Sequence, residues 1–161
     1  MTDPLWDDVA DVFDPADMGR LPDLYIPGVG VAGWQALLDL VVDRGWWYAY
    51  DEGGRVLPLP TAARVLARPA DGEMPNLCVR VGPGPGFHAV FRFLSDEVID
   101  FDVDLYELRD QEGLDAFCGF LRAIGRRLDR TVFLCPEGGG EEVAVLWYEP
   151  GADRIAVRHD R

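Results

Sequence analysis

From Ile99 onward, the stretch Val98-Ile99-Asp100-Phe101-Asp102-Val103-Asp104-Leu105 alternates apolar and acidic side chains without a break. A period of two is the signature of a β-strand with one covered and one open face. Ile99, Phe101, Val103 and Leu105 share the covered side; Asp100, Asp102 and Asp104 share the other, with same-face neighbours about 7 Å apart. Aspartate is a poor strand former, so three on one face carry a local cost that something must offset. A divalent cation, an arginine from a neighbouring strand (Arg80 or Arg92), or a basic partner protein would each do so.

Working outward, Leu77–Val81 and Phe87–Leu94 read as strands joined by the turn Gly82-Pro83-Gly84-Pro85-Gly86. Trp46–Tyr50 reads as a strand that turns at Asp51-Glu52-Gly53-Gly54 into a second arm, Arg55–Leu59. Asp23–Ile26 is a short strand near the start, and Thr131–Cys135, Glu142–Tyr148 and Arg154–Arg158 close the chain as three more. Two stretches carry helical periodicity: Trp34–Arg44, with Trp34, Leu37, Leu38, Val41 and Val42 on one side, and Leu114–Leu128, with Leu114, Phe117, Phe120, Leu121, Ile124 and Leu128. Shorter helices are expected at Leu5–Phe13, ended by Pro15 and Gly19, and at Thr61–Ala67, with Thr61 as the cap. Pro27–Gly33 and Pro69–Pro75 read as loops. Short glycine turns favour antiparallel pairing. The expected architecture is one α+β domain over residues 1–161, a mostly antiparallel twisted sheet with two main helices packed on it.

Charge narrows the function classes. The net charge of −14 repels nucleic acid and anionic membrane and attracts basic proteins. No apolar run approaches the roughly 20 residues that span a bilayer. Cys78, Cys118 and Cys135 are odd in number, widely spaced and set among apolar residues, as buried thiols in a reducing cytoplasm would be.

Catalytic sets are not legible. Ser95 is the only serine, and the absence of lysine rules out a Walker motif. His88 sits among Phe87, Ala89 and Phe91, and His159 lies in a polar tail. A carboxylate pair could still act as acid and base, and Glu137, after Pro136 at a strand end, is a candidate that no other feature supports. Gly28-Val29-Gly30-Val31-Ala32-Gly33 fits G-x-G-x-x-G, but Pro27 abuts it and the alternating βαβ units of a dinucleotide fold are missing. No cofactor and no metal ligand set is expected.

The aromatic run Trp46-Trp47-Tyr48-Ala49-Tyr50 places Trp47 opposite Trp46, Tyr48 and Tyr50, so one set belongs to the core and the other is available as an interface anchor. The expected partner-binding residues are Asp100, Asp102, Asp104 and Glu107, with Trp47 and Tyr50 as anchors. The segment Leu21-Pro22-Asp23-Leu24-Tyr25, the helix Trp34-Gln35-Ala36-Leu37-Leu38, the strand Ile99–Asp104 and the stretch Gly125–Glu137 together resemble the small acidic immunity proteins of bacterial polymorphic-toxin systems. The resemblance implies a cytoplasmic, non-enzymatic inhibitor that neutralises a basic toxin by stoichiometric binding. The competing expectations are a metal-dependent enzyme using Asp100, Asp102 and Asp104, and an acidic subunit of a larger assembly.

Overall fold

A computed structural model describes residues 3–67, 76–84 and 86–158. The loop expected over 69–75, Pro85 of the 82–86 turn and His159 lie outside these residues. The elements run α1 (Trp6–Val9), α2 (Pro15–Met18), β1 (Asp23–Pro27), α3 (Gly30–Asp43), β2 (Trp47–Glu52), β3 (Arg55–Leu57), α4 (Ala62–Leu66), β4 (Leu77–Gly84), β5 (Phe87–Arg92), β6 (Val98–Val103), α5 (Gln111–Leu128), β7 (Val132–Cys135), β8 (Leu146–Glu149) and β9 (Arg154–Val157). Single 3-10 turns sit at Leu105–Glu107 and Glu141–Val143.

The strands form one sheet of order β3-β2-β4-β5-β6-β1-β7-β8-β9, every pair antiparallel. The fold is therefore α+β with two main helices, α3 and α5, as the patterning implies. The early strand β1 lies between β6 and β7 and so joins a first meander (β2 to β6) to a second (β7 to β9). Closing the sheet depends on that insertion.

One face of the sheet is spent on the core. Phe91 and Phe101 stack 4.3 Å apart, and Phe120 of α5 meets both edge-on at 6.2 and 6.1 Å. Phe117, one turn back on α5, extends the cluster to Phe87 and to Phe13 of the N-terminal segment. Trp34 of α3 is buried, stacks on Phe93 at 4.6 Å and donates its indole N–H to the Ser95 carbonyl. The α5 helix is well specified at its ends. Asp110 caps its N-terminus by accepting from the Gly113 amide at 2.7 Å, and Asp129 ends it in the left-handed conformation.

Several boundaries differ from the sequence expectation. The Leu5–Phe13 helix is only Trp6–Val9, and Pro15 opens a second short helix instead of ending the first, because Asp14 caps it and proline fits the first helical position. Within the expected Pro27–Gly33 loop, α3 already begins at Gly30. Val42 is exposed, and Leu40 takes the core position. The last strands are shorter than expected: Glu141–Val143 is a 3-10 turn and β8 starts at Leu146.

Two glycines of α5 give a sharp test of packing against backbone propensity. A Cβ on Gly125 would enter the ring of Tyr148, which is buried and held by its hydroxyl donating to Asp153 at 2.6 Å. Gly119 is exposed, with nothing within 4 Å of such a Cβ. Gly125→Ala is expected to destabilise by about 1–3 kcal/mol through overpacking, whereas Gly119→Ala stabilises by about 0.5–1 kcal/mol through lost backbone entropy. Urea unfolding of the two variants reads out the opposite signs.

Candidate functional site

Alternation carries the side chains that do not enter the core onto a second sheet face. The buried residues of the helices join one core cluster with Leu24, Ile26, Phe91, Phe101 and Leu134, and these are the neighbours of the outward-pointing residues along their strands. Cross-strand register orders the outer face into rows. The longest runs Val56, Asp51, Cys78, Arg92, Asp100, Tyr25, Phe133, Trp147, Ala156 across all nine strands. The next row, one pleat along, holds Arg80, Val90, Asp102, Asp23 and Cys135. Trp47 and Gly82 lie one pleat further, with His88 beside them.

The three aspartates have three different environments. Asp102 is 8% exposed, and its carboxylate receives a short hydrogen bond and ion pair from Arg92 on β5. Burial still raises its pKa, with the Arg92 pairing pulling the other way. Asp104 lies just past the end of β6, where it caps the 3-10 turn by accepting from the Tyr106 amide. It also takes a two-pronged contact from Arg20, with Nη2 at 2.9 Å, and that hydrogen bond holds its pKa below the usual value.

Asp100 has neither arrangement. It is half-buried, and its pKa rises to about 6 because burial and the nearby Asp23 outweigh Arg92. Its cross-strand neighbour Tyr25 is pushed up to about 12 by burial, Asp23 and Asp100.

Of the ways the sequence left open to offset these aspartates, an arginine from a neighbouring strand is realised at Asp102 by Arg92. Two of the three aspartates are neutralised from within the molecule by arginines, as is Asp51 by Arg80 at 3.6 Å, leaving Asp100 as the acid without an arginine of its own. The regular strand spacing also keeps these carboxylates apart. Among the described residues, no group of three or more His, Cys, Asp or Glu side chains is placed to hold a metal ion.

Of the two expected aromatic anchors, Trp47 is 55% exposed on the outer face, edge-on to His88 at 5.7 Å. Glu107 joins them, accepting from the His88 amide at 3.2 Å and lying 3.6 Å from its Nδ1. Tyr50 is a correction. It points to the helix side, is 1% exposed, and its hydroxyl donates to Glu52 at 2.7 Å. Period two separates it from Trp47 by an odd number of residues, which forces the opposite face.

Sequence reasoning missed Asp23, Tyr25, Phe133 and Trp147. The alternation Asp23-Leu24-Tyr25-Ile26 was a signal for the first two, since Leu24 and Ile26 are fully buried. Phe133 and Trp147 sit in unbroken apolar runs, Val132–Cys135 and Leu146–Tyr148, where periodicity has no contrast to show.

The G-x-G-x-x-G stretch is structural. The Gly28 and Val29 amides both donate to the Glu97 carbonyl, so the loop is tied to the start of β6. Among the described residues, the sheet has no parallel strand pair of the kind that cradles a dinucleotide. No protein-family model matches the chain, and no curated protein or solved structure matches it either. Among the described residues, no helix is long and apolar enough to cross a membrane.

Asp100 makes a checkable prediction about stability. Its folded-state pKa of about 6 lies above the unfolded value, so the folded state holds this proton more tightly and stability falls as pH rises from about 4 through about 6. Asp100→Asn removes that penalty. The variant is expected to be more stable than the native chain near pH 7.5, on the order of 1 kcal/mol after discounting for solvent screening, with the advantage gone near pH 4. Paired thermal melts across this range measure it; a variant less stable at neutral pH means that the carboxylate gains from a favourable contact.

Proposed function

We propose that the chain is a non-catalytic binding module that captures a basic protein on the sheet face turned away from the core, in the manner of the immunity-type inhibitors its sequence resembles. The observation that carries this reading is the composition of that face. A row of aromatic side chains, Tyr25, Phe133 and Trp147, lies beside Asp100, an acid with no ion pair to an arginine among the described residues, and exposed Trp47 stands at the far corner.

The physical roles divide cleanly. The net charge of −14 accelerates encounter with a cationic partner, and the aromatic groups supply the desolvated contact that slows release. From register, Trp47 and Asp100 lie three strands apart and two side-chain steps along, a separation of about 20 Å. One protein–protein interface of ordinary size, about 800 Å² on each partner, covers that distance. The Arg92–Asp102 and Arg20–Asp104 pairs keep their partners in place, so the surface presents fixed charges instead of mobile ones. The metal-dependent reading loses its ligand set, since two of its three aspartates are engaged by arginine. A subunit of a larger assembly would use the same face and differs only in the partner.

The test uses the product of the neighbouring gene, the partner that an immunity role specifies. That product should arrest growth of a host cell, and co-expression of this chain should restore growth. The double variant Trp47→Ala/Asp100→Arg should weaken the purified complex by at least about 100-fold, as expected for loss of an aromatic anchor plus a reversed charge, with its thermal transition retained. Reversing Asp102 or Asp104 is a poor test, because each would leave an arginine unpaired. An inert neighbour that forms no complex, or a double variant that binds as the native chain does, overturns the proposal.

A further inference from the structure

We propose that the central contact of this face is an arginine of the partner, its guanidinium paired with Asp100 and lying against the ring of Tyr25, and that capture is therefore coupled to the protonation of that carboxyl. This inference rests on the docking reading above and adds the chemistry of its central contact.

Asp100 sits near the middle of the sheet, on β6 between β5 and β1. It has no hydrogen bond or ion pair among the described residues, although Arg92 is its direct cross-strand neighbour. The Arg92 guanidinium is turned along the strand to Asp102. The charged and titratable groups around Asp100 are Asp102 on its own strand, Arg92 from β5, and Asp23 and Tyr25 from β1, with Cys135 of β7 beside Asp23. With every acid ionised, three carboxylates share one guanidinium, and the local charge is complementary to one or more added cations.

The residue that completes this site is set by the shape of its walls. Asp100 is flanked by Tyr25, and the row continues through Phe133 and Trp147. A guanidinium can pair with a carboxylate edge and present its flat face to an aromatic ring at the same time. An ammonium is a compact, strongly hydrated point charge without that planar match. The aromatic row beyond then receives the apolar part of the partner's surface next to the arginine.

The proton coupling follows from the half-burial of Asp100. In the free protein this carboxyl takes up a proton as pH falls through about 6, whereas a bound guanidinium favours its ionised form. Binding must therefore expel the proton below that pH, and affinity falls. Asp104, Glu149 and Asp153, which arginines hold below their usual range, stay ionised through this window and cannot produce the signal.

An oligoarginine peptide is the probe, followed by nuclear magnetic resonance on the full chain, with oligolysine of equal length as control. Saturating oligoarginine is expected to lower the Asp100 carboxyl midpoint from about 6 by at least about one pH unit, and its Kd should rise by up to about tenfold per pH unit below 6. Asp100→Asn should bind the peptide weakly and without this pH dependence, and Tyr25→Leu should abolish the preference for arginine over lysine. If the peptide shifts residues of the face but leaves the Asp100 midpoint unmoved, or if oligolysine does equally well, the arginine contact is overturned and the docking face stands. If no residue of the face responds, the arginine contact is likewise overturned, and the co-expression assay alone decides the docking reading.

Discussion

Burying Ile99, Phe101 and Val103 in the core leaves β6 no choice about Asp100 and Asp102. A strand places successive side chains on opposite sides, and a slip of one residue would drive the aspartates into a cluster of phenylalanines. Phe101 fixes the register, because it is stacked on Phe91 and capped by Phe120. The same constraint passes through backbone pairing to β1 and β5. Leu24 opposite Phe101 sends Asp23 and Tyr25 outward, and Phe91 opposite Phe101 sends Arg92 outward. The outer face is therefore a consequence of core packing at one strand, propagated across the sheet.

Charge balance on that face explains why the three aspartates diverge. A carboxylate as buried as Asp102 is costly unless it is paired, and Arg92 lies close enough to pair with it. Having done so, Arg92 has less to give Asp100, whose surroundings then favour the protonated form. Asp104 escapes the problem by leaving the strand, where it satisfies a backbone amide and meets an exposed arginine in a well-solvated setting. An alternating sequence thus yields one structural acid, one capping acid and one acid left unbalanced.

The parts of the fold that were legible in the sequence are those where patterning had contrast. Residues 99–105 alternate apolar with acidic, and residues 114–128 show a clear helical stripe, so both were readable as elements and as faces. Gly53-Gly54 and the cap at Thr61 were readable through turn and cap chemistry. The start of α3 was not, because glycines at 28, 30 and 33 read as loop while the helix begins inside them. At the site, the acids were visible and Arg92 stood among the candidate partners for them, but Arg20 did not. Arg20 lies 84 residues from Asp104, and periodicity carries no information about which distant arginine a strand order brings near. Tyr50 was misplaced because a run of aromatics looks alike on both faces, and only the register with Val79 shows which side is buried.

The two-sidedness of the sheet also bears on what kind of partner is physically reasonable. A bare antiparallel sheet face is commonly wet, and most of this one is lined by charged or half-buried groups that tolerate water. A second copy of the chain would bring its own charge of −14 against the first, with like acids apposed across the contact. That repulsion disfavours self-association through this face at moderate salt. A cationic protein meets the opposite situation. Its approach relieves the clustered charge around Asp23, Asp100 and Asp102, and its apolar surface has Tyr25, Phe133 and Trp147 to dry against. On the proposed reading, the electrostatic imbalance that the fold does not correct internally would favour a basic partner over a second copy of the chain.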